Sequence, residues 1–411
     1  MKILIINKFL YARGGDAISA LATGKLLESK GHQVIFWGMN HPLTPEYPKK
    51  NLFVDYINYD ANVGPLMKLR MARNILYSFE AKKKIRRLIE EEKPDIVHLH
   101  NFAHQIYPSI LDVFGKYNIP VVMTMHDYKL VCPAYTMSLN GKLCEKCRNG
   151  GFYHCLSNKC IKNSYIKSML NSAEMYLHHR ILHIYDNMDR YIAPSQFIRD
   201  KIKNMGFKGD IIYLPNFIDT NDFTPSYGWE GNSIVYLGRL STEKGLTTLI
   251  QSMKGVRNFS LNIIGDGPIK DELEMQARTV SNGNIRFLGY KSEQELKEEI
   301  RSSMFVILPS ECYENCPRSI LEAFAMGKPV IGADIGGIPE LVKDRRSGYL
   351  FKSGDVNDLR DKITMLARRP NKIIEMGKAA RASVEQLYGA QQHYERLMEV
   401  YKSAKKGKGT K

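Results

Sequence analysis

The chain has 411 residues, 44% of them apolar and 25% charged. That length suits two α/β domains of about 200 residues each, and the composition excludes a wholly disordered or fibrous chain. Lys and Arg number 59 against 43 acids, a formal charge of +16. Such an excess attracts nucleic acid, anionic membrane or phosphorylated small molecules, or simply keeps a two-domain enzyme soluble.

No stretch approaches the roughly 18 apolar residues of a membrane-spanning helix. The N-terminal run Met1-Lys-Ile-Leu-Ile-Ile-Asn is short and is followed at once by Lys8 and Arg13. It lacks a long apolar region and a small-residue cleavage site, so it reads as a first strand rather than a signal peptide. The expected location is the cytoplasm, peripheral on the inner face of the cell membrane.

Residues 2–6, the pair Gly14-Gly15, an amphipathic stretch to Leu27 and the strand 31–37 make one βαβ unit. The glycine pair stands where the helix begins, and amides there can face an anion. It is not a full G-x-G-x-x-G, which argues against a dinucleotide oxidoreductase. Further strands are predicted at 95–100, 120–125, 191–193 and 211–214, giving a doubly wound parallel sheet whose ligands collect at the strand C-termini. His100, His126-Asp127 and Pro194-Ser195 occupy such ends. A histidine there is often only packed, but His126 is followed directly by Asp127 and a long loop.

That loop, about 129–164, holds five of the seven cysteines: Cys132, Cys144, Cys147, Cys155 and Cys160. An odd total with this clustering suits a reduced compartment better than a disulfide framework. The C-x2-C pair Cys144/Cys147, completed by Cys155 and Cys160 with Cys132 as the alternate, has the spacing of a structural zinc site. Unliganded thiols and disulfides are the competing readings. No catalytic metal is expected.

Residues 61–90 carry eight cations and two acids, interleaved with apolar residues. They read as a basic amphipathic helix able to lie on an anionic membrane surface, or as a solvated outer helix of the sheet.

A second βα alternation follows, with strands predicted at 233–237, 260–264, 285–288, 305–308 and 329–333. The expected organisation is a first Rossmann-like domain over 1–214, carrying the Cys-rich insertion, a linker over 215–230 and a second Rossmann-like domain over 231–385. Residues 386–403 are read as a helix crossing back to the first domain and 404–411 as a disordered basic tail. Such domains would face each other across a cleft.

Gly238-Arg239 through Lys244-Gly245 follows a strand and opens a helix. Arg239 can fork two phosphate oxygens and Lys244 adds a point charge, which suits a diphosphate. Glu314 and Glu322 flank Pro317, which fits the first turn of a helix, so Glu314 would lie in the loop and Glu322 on the helix. Carboxylates accept from hydroxyl pairs, so sugar and ribose are plausible targets.

Taken together, Gly14-Gly15, His126-Asp127, Asn216, Gly238-Arg239 with Lys244, Gly265-Asp-Gly-Pro268, Glu314-x7-Glu322, Gly336-Gly337 and Gly348 resemble the retaining family-4 glycosyltransferases of GT-B fold. The resemblance covers nearly the whole chain. It implies a hexosyltransferase-type enzyme that takes a UDP- or GDP-linked nucleotide sugar. Arg239 and Lys244 would hold the diphosphate, Glu322 the ribose and Glu314 the donor sugar, with contacts from the amides of Asn315 and Cys316. Gly14 and Gly15 would approach the phosphates and His126 the reaction centre. The acceptor implied is a saccharide or a polyprenyl-diphosphate-linked sugar in surface polysaccharide synthesis. The chain has no Asp-x-Asp pair for a metal clamp. Where family members often carry a small residue after the first glutamate, this chain has Asn315, which leaves the donor open. A soluble-acceptor transferase, an idle sugar-nucleotide binder and a basic nucleic-acid-binding protein are the alternatives. No recognition-helix or RNP-type motif accompanies the charge, so nucleic acid is not an expected partner.

Overall fold

In the computed structural model the described residues are 1–59, 61, 63–280 and 283–408. They divide into two units: residues 1–139, 144–214 and 394–411, and residues 140–143 and 215–393. Each is built on one six-stranded parallel sheet.

In the first unit the strands are β1 (Lys2–Ile6), β2 (Gln33–Trp37), β3 (Ile96–Leu99), β4 (Val121–Thr124), β5 (Arg190–Ala193) and β6 (Ile211–Tyr213), in the order β6-β5-β4-β3-β1-β2. Most residues of β1, β3 and β4 are buried, because helices cover both faces. Ile5 pairs with Phe36 on one side and His98 on the other. The strand order therefore reverses at β1, and the C-terminal ends of β1 and β3 form the topological switch point where ligands of such sheets gather.

Helix α1 (Gly15–Ser29) starts at the glycine pair. The basic stretch forms two helices rather than the one expected, α2 (Pro65–Leu76) and α3 (Phe79–Glu92). The break has a local cause: Ser78 is extended and its hydroxyl accepts from the Ala81 amide, an N-cap that restarts the helix. A further helix, α4 (Tyr165–Tyr176), packs against α2.

In the second unit the strands are β7 (Ser233–Leu237), β8 (Ser260–Ile264), β9 (Ile285–Gly289), β10 (Val306–Leu308), β11 (Val330–Ala333) and β12 (Gly348–Phe351), in the order β9-β8-β7-β10-β11-β12. Here the switch point lies between β7 and β10, which meet at Val235 and Val306. Strand β12 is absent from the sequence reading. It pairs with β11 at the sheet edge, and its Gly348 also bridges Asp344.

Two other expectations change. Residues 215–230 belong to the second unit instead of standing apart as a linker: the Ile218 amide donates to Tyr388 O and Ser226 N to Met326 O, each at 2.9 Å. The last helix, α5 (Ala390–Lys408), continues through most of the expected tail. Its Leu397, Val400, Tyr401 and Ala404 are buried with Ile3, Ile5, Ile96 and Ile192 in the core of the first unit. The apolar spacing of those four residues holds the helix down, which a count of lysines does not reveal. Residues 409–411 lie outside the described residues. Among the described residues no helix is long and apolar enough to cross a membrane.

Candidate functional site

The second unit concentrates polar side chains at its switch point. Strand β7 runs into Gly238-Arg239, and a short 3-10 turn, Thr242–Lys244, precedes the helix Leu246–Ser252. Strand β10 runs into Pro309-Ser310 and the loop that carries Glu314. The two loops are locked together. Lys244 Nζ stands 2.6 Å from Glu314 Oε1, and Ser310 Oγ donates to the same oxygen at 2.6 Å. Thr248 Oγ1 donates to Glu311 Oε1 at 2.6 Å.

The electrostatics follow from this pairing. Burial alone would raise the Glu314 pKa, but the Lys244 charge and the bonds from Lys244 and Ser310 outweigh it and hold the carboxyl below its ordinary range. Burial likewise works against the Lys244 ammonium, and Glu314 reverses that and keeps it charged. Glu314 is therefore an acceptor at neutral pH and has no proton to give. Arg239 is exposed and makes no ion pair among the described residues, so its guanidinium is available for an anion.

Glu322 lies on the helix Arg318–Ala325, after Pro317 at its N-cap. Its Oε1 accepts from Arg318 Nε at 2.9 Å. Burial raises the Glu322 pKa and Arg318 only partly offsets it. Cys316 O accepts from Asn216 Nδ2 at 3.1 Å, which fixes the backbone just before that helix. Ser310, Thr248 and Arg318 acquire their roles only here; the i, i+4 spacing of Arg318 and Glu322 on a helix is the one sequence signal that points to such a pair.

Glycines allow the loops to meet. Gly245 has φ +68°, and a Cβ there would lie 1.9 Å from Pro309 O. Gly336 has φ +61° and packs on the Glu314 backbone, while Gly337 N donates to Glu314 O at 2.8 Å. Gly245→Ala is expected to cost about 2 kcal/mol or more, from both the left-handed strain and the clash. A melting temperature equal to wild type would contradict this packing.

The first unit has its own polar cluster at the β1/β3 switch point. His98 Nε2 is 2.8 Å from Thr124 Oγ1 and its Nδ1 is 2.8 Å from Tyr401 Oη. His100 stacks on His98, and His100 Nδ1 is 2.9 Å from His126 Nε2. Burial lowers the His126 pKa, so its ring is neutral at pH 7. His126, Asp127, His100 and Lys129 line one small cavity. Beside it, Lys129 Nζ reaches the fully buried Glu174 at 2.7 Å and His104 Nε2 at 3.0 Å, which anchors the loop after Asp127 to α4. Gly14 and Gly15 open α1; a Cβ at Gly15 would meet nothing within 4 Å.

All five loop cysteines are free thiols. Cys155 and Cys160 share a side-chain hydrogen bond, and burial with the neighbouring Cys132, Cys160 and Cys144 pushes the Cys147 thiol up to about 12. Among the described residues no three His, Cys, Asp or Glu side chains are grouped as ligands of a metal ion. The zinc expectation for Cys144, Cys147, Cys155 and Cys160, with Cys132 as alternate, rests on sequence spacing alone.

Comparison with known proteins assigns the architecture. A model of Glycosyltransferase Family 4 matches residues 13–222, and a model of glycosyl transferases group 1 matches residues 221–383. The amylovoran biosynthesis glycosyltransferase AmsK of Erwinia amylovora is 29% identical over 181 residues, 41% of this chain and 44% of that protein. The sucrose-phosphate synthase of Thermosynechococcus elongatus superposes with a TM-score of 0.71 at 18% identity, covering 98% of both chains. Anabaena HepE, solved with UDP-glucose, superposes at 0.64 and 18% identity over 98% of this chain and 100% of its own. The two parallel six-stranded sheets and both family matches lead to one conclusion: the chain belongs to glycosyltransferase family 4, a transferase of GT-B fold with relatives in polysaccharide biosynthesis.

Proposed function

We propose that this enzyme is a retaining hexosyltransferase. It moves a sugar from a UDP- or GDP-linked donor to a saccharide or polyprenyl-diphosphate-linked acceptor in surface polysaccharide synthesis. The observation that carries the donor assignment is the Lys244–Glu314–Ser310 cluster at a switch point, with an exposed Arg239 on the adjoining loop that makes no ion pair among the described residues. A HepE structure holds UDP-glucose, a donor of the class proposed.

In this reading Arg239 and Lys244 neutralise the departing diphosphate, where negative charge develops. Glu314, held ionised, accepts from donor-sugar hydroxyls, and the Asn315 and Cys316 amides add contacts. Glu322 accepts from the ribose hydroxyls. The Gly14 and Gly15 amides and the neutral His126 keep the roles that the family resemblance implies for them. The acceptor hydroxyl forms the new bond to the anomeric carbon on the face from which the diphosphate departs, and a phosphate oxygen takes the hydroxyl proton. Such a path needs fixed positive charge more than a protein nucleophile, and it suits a Glu314 that has no proton to donate.

A panel of UDP- and GDP-sugars, read by release of free nucleotide and by the anomeric configuration of the product, tests the proposal. An α-linked donor should give an α-linked product; a β-linked product would overturn retention. His100→Ala removes the group that fixes the His126 ring. It is expected to lower kcat by about 10- to 100-fold through misplacement of His126, with donor KM little changed. An equal loss in kcat and in donor affinity would remove this positioning role.

A further inference from the structure

Helices α2 and α4 lie far apart in sequence but pack side by side, and both turn apolar side chains outward. On α2, Leu66 is 84% and Leu69 69% exposed, while Met71 and Ile75 face the interior. On α4, Ile166 is 76% and Met169 53% exposed. Aliphatic side chains this exposed, contributed by two adjacent elements, mark an interaction surface rather than scattered surface residues.

The charge around them has one sign. Lys68, Arg70 and Arg73 stand on α2 and Lys167 on α4, and none forms an ion pair among the described residues. Residues 64–78 contain no acid. Between residues 157 and 185 the sole acid is Glu174, which is fully buried and bound to Lys129. Asp60, the nearest acid before α2, lies outside the described residues; the next carboxylates on either side, Asp55 and Glu80, are both tied to Lys84 at 3.0 and 2.9 Å. Three of the five cations of α3 differ: Lys82, Lys84 and Arg87 are committed to Asp112, Asp55, Glu80 and Glu91, which leaves Lys83 and Arg86. What sets α2 and α4 apart is that exposed aliphatic side chains stand there beside cations that make no ion pair among the described residues.

The geometry points to this α2–α4 face as the surface by which the enzyme docks on an anionic lipid bilayer. Alkyl groups enter the headgroup boundary while Lys and Arg stay at the lipid phosphates. Tyr165, which Lys159 covers at 4.3 Å from its ring centre, suits the interfacial layer where aromatic side chains collect. A second copy of the chain is disfavoured, because it would bring two such cationic faces together. A nucleic acid would leave the aliphatic side chains without a partner. This inference does not depend on the sugar donor or on retention, since it concerns a different surface and is read by a different measurement.

The full chain is tested by sedimentation with phosphatidylcholine vesicles, with and without about 30% phosphatidylglycerol. Binding is expected only with the anionic lipid, and it should weaken steeply between about 0.05 and 0.3 M salt. Lys68→Ser/Arg70→Ser/Arg73→Ser should lower affinity by about 100-fold. Leu66→Ser/Leu69→Ser/Ile166→Ser should lower it by at least about 10-fold. Both variants change exposed positions and should keep the wild-type melting temperature and nucleotide release with a soluble acceptor. Equal binding to neutral vesicles, wild-type vesicle affinity in the charge variant, binding to duplex DNA in place of vesicles, or a dimer lost in the Leu66 variant would each overturn the assignment.

Discussion

Lys244→Met should abolish glycosyl transfer and destabilise the protein, and a second substitution should separate the two effects. In the wild type, Lys244 and Glu314 are 25% and 13% exposed and meet at 2.6 Å. Removing the ammonium leaves a largely buried carboxylate without its partner, at a cost of about 2–4 kcal/mol after allowance for the remaining exposure. Adding Glu314→Gln removes the stranded charge, so Lys244→Met/Glu314→Gln should recover most of that stability. Transfer should stay at least about 1,000-fold down in both if Lys244 is the leaving-group cation proposed above. Thermal melting and nucleotide release together check this. A double variant no more stable than the single one would show that the ion pair does not govern the site.

The pH dependence of the same pair has a definite sign. The folded Glu314 pKa lies below its unfolded value. Its stabilising contribution is therefore complete above the ordinary carboxylate range and is lost as pH falls through the lowered folded value. Lys244→Met should flatten that part of the acid-denaturation profile.

Arg239→Ala should give the opposite combination: a large loss of activity with no loss of stability. The side chain is exposed and makes no ion pair among the described residues, so melting should stay within about 0.5 kcal/mol of wild type. Loss of a donor to the developing diphosphate charge should lower kcat/KM by about 100- to 1,000-fold. Arg239→Lys keeps the charge but not the two-pronged geometry and should fall between them. Full activity in Arg239→Ala would move the diphosphate site elsewhere.

Much of the second unit's site was legible because its chemistry is local. Arg239 and Lys244 follow a strand, and Pro317 separates the loop bearing Glu314 from the helix bearing Glu322; spacing and residue type express both facts. The direct Lys244–Glu314 contact was not legible. Those residues belong to loops 70 positions apart, brought together because β7 and β10 are neighbours in the sheet. The same holds for His100 against His126, which leave adjacent strands β3 and β4. The basic stretch misled as a single helix because apolar periodicity carries on through Tyr77, while the Ser78 cap that interrupts it is one residue's hydrogen bond.

By itself the sequence determined the repeated strand–helix grammar, the two parallel sheets and the identity of the charged and glycine positions. Continuous apolar runs, helical periodicity and φ-permissive turns are encoded over a few residues and need no partner to be read. Tertiary structure alone decided which cation meets which carboxylate and which core residues of the first unit the last helix covers. It also decided that α2 and α4, which carry the exposed Leu66 and Ile166, pack against each other. Those are long-range pairings chosen by strand order and helix packing, and no local pattern carries them.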